Sequence, residues 1–143
     1  MPTTFTRIEY EQLNGRQKEA FNLQKVSAIF ADLGFVTIPT KSDWGDADFI
    51  AQHIEDKFLK VQLKSRLTFS QNYRKKSLFI CFPSDRVWYL YPHDEMLELN
   101  LSKNCIGREF WEQHGGYSRG APSKVQKALL APYELKAGIT LPV

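Results

Sequence analysis

Three polar residues within a short span of this chain have the types and spacing for chemistry: Asp48, Gln62 and Lys64. Asp48 opens the apolar run Phe49-Ile50-Ala51, while Gln62 and Lys64 alternate with Leu59, Val61 and Leu63 in a second run. Side chains alternate across a strand, so Gln62 and Lys64 share one face and the aliphatic residues fill the other. A carboxylate, a neutral amide oxygen and an ammonium at one sheet edge suit metal-assisted hydrolysis of a phosphodiester. Asp48 would anchor the ion and Gln62 would offer its oxygen to the metal or its water. Lys64 would orient or deprotonate the attacking water and add positive charge in the transition state. The plainer alternative makes Asp48 a turn cap and leaves Gln62 and Lys64 facing solvent on an edge strand. Taken as a set, with Gly45 before the acid, the residues favour the site.

The elements that must position them follow from periodicity. Leu23, Val26, Phe30 and Leu33 recur at helical spacing within a helix expected over Leu13 to Leu33, with Asn14 as N-cap, Gln17 at the capping-box position and Gly34 as stop. Phe35 to Ile38 reads as a strand stopped by Pro39. The cluster Asp43-Trp44-Gly45-Asp46 reads as a turn. Asp48 to His53 and Phe58 to Ser65 are strands around a hairpin turn at Glu55-Asp56-Lys57. Thr68 to Lys76 is an extended loop or ribbon. Ser77 to Phe82 and Val87 to Tyr91 are two more strands, joined by the turn Pro83-Ser84-Asp85-Arg86. Short helices are expected over Asp94 to Leu101, Glu109 to Gln113 and, capped by Ser123, over Ser123 to Leu130. The order implies a mixed α/β architecture around a central sheet.

At 143 residues the chain reads as one domain, 1–143, and its 43% hydrophobic and 24% charged residues are those of an ordinary globular protein. Met1 to Arg7 lacks the apolar run of a signal peptide, and no stretch is long enough to span a bilayer. Cys81 and Cys105 read as reduced thiols, and His53, His93 and His114 are too scattered for a zinc motif. The expectation is therefore a soluble cytoplasmic protein with no membrane partner. The net charge of +3 conceals strong segregation: residues 57–84 hold seven bases and no acid, whereas residues 1–56 hold nine acids and five bases. Such a block reads as an anion-binding face, with a merely solvated hairpin as the plain alternative.

The sequence Gly45-Asp46-Ala47-Asp48-Phe49-Ile50-Ala51 followed by Gln62-Leu63-Lys64 resembles the PD-(D/E)XK, or restriction-endonuclease-like, nuclease superfamily. The family pattern is an acid at a strand start, then acid-x-lysine in the next strand. Here the proline before the first acid is absent, and Gln62 stands where Asp or Glu is usual, which removes one negative charge. The resemblance implies a restriction-endonuclease-like core, a mixed central β-sheet flanked by helices, with Mg2+ (or Mn2+) as cofactor. It further implies a compensating acid from the N-terminal helix. Glu19, on the stripe with Leu23, Val26 and Phe30, is the first candidate; Glu11, on the same side of a helix extended backwards, is the second. Asp46 is a weaker rival to Asp48 and suits a turn cap. The small size, the Gln-x-Lys variant and the run from Thr6 to Glu11 through Val87 to His93 are also similar to intron-encoded homing endonucleases of cyanobacterial transfer-RNA group I introns.

For such an enzyme the partner is double-stranded DNA. A domain of this length has a radius of gyration of about 14 Å and covers roughly one turn of duplex. With one active site per chain, cutting both strands implies a homo-oligomer, dimer or tetramer. Arg66, Gln71, Asn72 and Arg74 are expected in the major groove, where they match guanine and adenine edges, with Lys75 and Lys76 on phosphates. Arg119, in the Gly-rich patch Gly115 to Lys124, is a further backbone contact or lies against a neighbouring subunit. A structure-specific, junction-resolvase-like nuclease and a non-catalytic DNA-binding module on the same fold are the alternatives.

Overall fold

The computed structural model describes residues 1–41 and 46–143. Of the turn expected at Asp43-Trp44-Gly45-Asp46, only Asp46 is therefore among the described residues. Helix α1 (Gly15–Asp32) starts where the sequence places its cap: Asn14 Oδ1 accepts from the Gln17 N–H, and Gln17 Oε1 accepts from the Asn14 N–H, both at 2.9 Å. It does not extend backwards. Tyr10–Gln12 form a separate 3-10 turn, and Leu13 is extended. At the other end Gly34 takes φ +88°, and a Cβ there would stand 3.0 Å from His53 Nε2, so both the backbone and the packing require glycine.

Five strands build the central sheet: β1 (Phe35–Pro39), β2 (Phe49–His53), β3 (Phe58–Leu63), and then, after an excursion of the chain, β5 (Leu78–Ser84) and β6 (Val87–Pro92). The excursion contains β4 (Leu67–Ser70) and a 3-10 turn, Gln71–Tyr73. The spatial order is β1-β2-β3-β5-β6, antiparallel throughout except for β3 against β5, which run parallel. The expected four-residue turn at Pro83 to Arg86 is tighter than that. Pro83 and Ser84 stay in β5 paired with Trp88 and Val87, and Asp85 and Arg86 alone reverse the chain, both at positive φ.

Both faces of the sheet are covered, and alternation assigns them. Val26 and Phe30 of α1 pack on Phe49, Ala51, Leu59, Val61, Phe79 and Cys81. Phe30 meets Phe35 and Phe49 edge-on, at 5.3 and 5.6 Å between ring centres. The opposite face presents Ile80, Phe82 and Tyr91 to α2 (His93–Ser102), α3 (Arg108–His114) and α4 (Lys124–Leu130). Leu67 and Phe69 of β4 join that second core. The architecture is thus mixed α/β, a mixed central sheet flanked by helices. No described helix is long and apolar enough to cross a membrane.

A second, two-stranded sheet was not legible in the sequence. β4 pairs antiparallel with β7 (Gly116–Arg119), which places Leu67 opposite Arg119 and Ser70 opposite Gly116. A buried polar network seats this ribbon on the helices: Gln126 Nε2 donates to Asn100 Oδ1 at 3.0 Å and to the Tyr117 hydroxyl at 3.2 Å. Asn100 in turn donates to the Met96 carbonyl at 2.8 Å. Such a network is favourable because its members satisfy one another away from water.

Candidate functional site

Asp48 stands where β2 departs from β3. Its backbone N–H donates to the Val61 carbonyl at 2.8 Å and its carbonyl accepts from the Thr40 N–H at 3.0 Å. Asp48 is exposed at the surface, and its Oδ2 accepts the Leu63 N–H at 2.7 Å. That bond supplies the partner Leu63 would otherwise lack at the end of the β2–β3 ladder, and it fixes the acid between Gln62 and Lys64 along the chain. The contact is that of a strand-end cap, the plainer of the two roles expected for Asp48.

Gln62 lies opposite Ile80 of β5 and so faces the second core, away from α1. Lys64 shares that face by alternation, and its backbone continues the ladder by donating to the Cys81 carbonyl at 2.8 Å. Its ammonium rests 5.6 Å from the centre of the Tyr73 ring. The candidates for the compensating acid lie differently from expectation. Glu19 is exposed rather than buried on the apolar stripe, whose fully buried members are Val26 and Phe30. The reason is its place near the start of α1, where the helix has not yet come under the sheet. Even so, its charge acts on Asp48. Glu11 sits exposed in the separate 3-10 turn, because the extended Leu13 breaks the helical phase that would have aligned it with Glu19.

Electrostatics single out Asp48. Partial loss of water around its carboxyl at the strand end lifts its pKa above the ordinary aspartate value; the neighbouring Glu19 charge adds to this. The Leu63 N–H and the Lys64 ammonium pull the other way without prevailing. Asp46, by contrast, is engaged in an ion pair with Lys76. Among the described residues no cluster of three or more His, Cys, Asp or Glu side chains is placed to hold a metal ion. Near Asp48 the described donors lie on two sides of the sheet, Glu19 on α1 and the Gln62 amide on the opposite face.

The basic segment divides into engaged and open groups. Arg74 is half-buried against α2, with Nη2 3.5 Å from Glu98 Oε1, and Lys76 is committed to Asp46. Arg66, Gln71, Asn72, Lys75 and Arg119 are exposed. Because β4 pairs with β7, Arg66 and Arg119 converge at one end of the ribbon: Arg119 is opposite Leu67, and the Arg66 guanidinium borders Gly120. Two basic patches separate in sequence are one in space.

Residues with no obvious chemistry in the sequence hold this segment in place. The Tyr91 hydroxyl donates to the Thr68 carbonyl at 2.7 Å and accepts from the Thr68 N–H at 3.2 Å. His93 Nε2 accepts the Ser70 N–H at 3.0 Å, which leaves the proton on Nδ1 to donate to Asp94 Oδ1 at 2.8 Å. Asp94 Oδ2 accepts the Lys75 N–H at 2.9 Å. The period of two in β6, running Tyr89, Tyr91 and on to His93, was the one sequence signal that these residues share a face. Comparison with protein-family models, with curated proteins and with solved structures returns no match.

Proposed function

We propose that this chain is a magnesium-dependent, site-specific double-strand DNA endonuclease with a restriction-endonuclease-like core, working as a homo-oligomer. The observation that carries the reading is the 2.7 Å bond from the Leu63 N–H to Asp48 Oδ2, which brings the acid into register with Gln62 and Lys64. Supporting it are α1 ahead of an antiparallel β1–β3 meander, the parallel neighbour β5, and the basic ribbon that leaves directly from the end of β3.

The donor set suits magnesium, which is commonly bound through one or two carboxylates while keeping several waters. Asp48 would hold it through the lone pairs the Leu63 N–H does not use, with Glu19 approaching from the α1 side and Gln62, on the other face, reaching it through a bound water. Loss of water, with a smaller addition from Glu19, raises the pKa of Asp48, and a divalent cation beside it would favour its ionised form. When bound, the ion supplies Lewis-acid polarisation of the phosphate and a more acidic water. Lys64 would orient the attacking water and counter the charge that grows on the phosphoryl oxygens. Arg66, Gln71 and Asn72 would meet the duplex at base edges, with Lys75 and Arg119 on the backbone. One site per chain cuts one strand, so a two-fold pair cuts both.

Incubation of the protein and magnesium with a randomised plasmid library, followed by mapping of the ends, tests this. A unique linear cut is expected, lost in Lys64→Ala and Asp48→Ala while DNA binding persists. A protein that shifts DNA but never nicks it with any divalent ion would overturn the reading. Preference for a branched junction over linear duplex would replace site specificity with structure specificity.

A further inference from the structure

We propose that Tyr73 is a positioning residue for the Lys64 ammonium, and that the buried His93–Asp94 pair fixes Tyr73 so that the docking of the basic ribbon sets where Lys64 stands. The proposal rests on the reading of Lys64 as the water-orienting group. Lysine carries its charge on a flexible four-carbon stem, and something must limit where that charge lies. Among the described residues, the aromatic face beneath it is that of Tyr73, 5.6 Å from Nζ. An aromatic face attracts an ammonium without taking its protons, so Lys64 keeps its donors free for a water.

Tyr73 is itself held. It ends the Gln71–Tyr73 turn, packs beside Ala47, Ile50 and Leu78, and meets His93 edge-on at 5.5 Å and 85° between ring planes. The turn is pinned on both sides by one pair of residues: at Ser70 through His93 Nε2, and at Lys75 through Asp94 Oδ2. His93 is 1% exposed, and its two ring nitrogens are both engaged. A buried imidazole with both nitrogens assigned has one orientation, and it passes that orientation to Tyr73 through the ring contact. The contacts run from Asp94 through His93 and Tyr73 to Lys64, and they join the DNA-facing segment to the group that handles the water.

Protein labelled with 13C at the lysine ε position tests this, with the Lys64 signal identified in a Lys64→Arg variant. In the wild type the Lys64 ε protons should be shifted upfield by the Tyr73 ring. Tyr73→Phe should keep that shift and the rate of magnesium-dependent cutting. Tyr73→Leu should erase the shift and lower kcat about ten- to a hundred-fold with KM unchanged, as expected when a reacting group is misplaced. Asp94→Ala, at a half-exposed site where misfolding is not expected, should weaken the shift and lower kcat less. An unshifted Lys64 signal in the wild type, or a shift that survives Tyr73→Leu, would overturn the proposal. So would a rise in KM with kcat intact, which would make Tyr73 a DNA contact, or an Asp94→Ala protein identical to wild type. If the wild type never cuts DNA, the nuclease reading fails while the spectroscopic arm still decides whether Tyr73 holds Lys64.

Discussion

Replacing Tyr91 by Phe removes a single oxygen and should loosen the basic ribbon without opening a cavity. β4 has β7 along one edge, and on its other side the Thr68 N–H and carbonyl both bond to the Tyr91 hydroxyl, at 3.2 and 2.7 Å. Tyr91 is fully buried, and burial raises its pKa, so the hydroxyl stays protonated and serves as both donor and acceptor. The phenyl ring of the variant fills the same space, so the cost is confined to the two backbone groups left without a partner. A buried group stranded in this way costs about 1–3 kcal/mol, and Thr68 is only half-buried, so water relieves part of it and a total of about 2 kcal/mol is expected. Unfolding entropy near about 2.1 cal/mol/K per residue makes roughly 0.3 kcal/mol/K for this chain, and the loss becomes a fall in Tm of about 7 °C. Calorimetry reads the first number, and hydrogen exchange reads its location: the Thr68 amide should exchange faster while amides of β5 keep their protection. A Tm within about 1 °C of the wild type, or unchanged exchange at Thr68, would refute the view that this hydroxyl seats the ribbon.

The remaining predictions concern charge and backbone. Burial lowers the pKa of His93 below the ordinary histidine value, although the Asp94 bond and charge favour the imidazolium and Arg74 opposes it. A depressed folded-state pKa means that its contribution is whole above about pH 6.5 and is lost as pH falls towards the folded value. The wild-type urea midpoint should therefore drop over that window, and the drop should flatten in His93→Phe; equal slopes would count against it. Asp48 has the opposite sign, since its folded pKa is raised. Its ionised form disfavours folding at neutral pH, so Asp48→Asn should raise Tm at pH 7 while abolishing cutting, and the gain should vanish below about pH 3.9. A less stable Asn variant at neutral pH would show that the Leu63 bond needs the charge. In the β5–β6 hairpin Arg86 holds φ +67°, a strained value for a residue with a Cβ, so Arg86→Gly should stabilise by about 0.5 kcal/mol, read as a denaturant midpoint.

Local pattern alone determined much of this protein. The α1 cap at Asn14, the alternation of Leu59, Val61 and Leu63 against Gln62 and Lys64, and the Ser123 cap of α4 each depend on neighbours a few residues away. They were legible for that reason. The pairing of Asp48 with the strand that carries Gln62 and Lys64 follows from one hairpin and was legible too. What depends on distant partners was not. The four residues of β7 are too few for a period, and they form a strand because β4 offers an unpaired edge nearly fifty positions earlier. Glu19 reads as buried by helical phase, but how far α1 runs under the sheet decides its exposure, and that is a property of the packed core. Arg74, Lys76 and Lys75 all read as DNA contacts in the sequence, the arginine on base edges and the lysines on phosphates. Tertiary structure commits the first to Glu98 and the second to Asp46, and leaves the third at the surface. The sequence by itself determined the elements and the Gln-x-Lys spacing after Asp48, because these are short-range. Only the tertiary structure decided which charges are open to a partner, because burial and pairing are set by chain segments far apart in sequence.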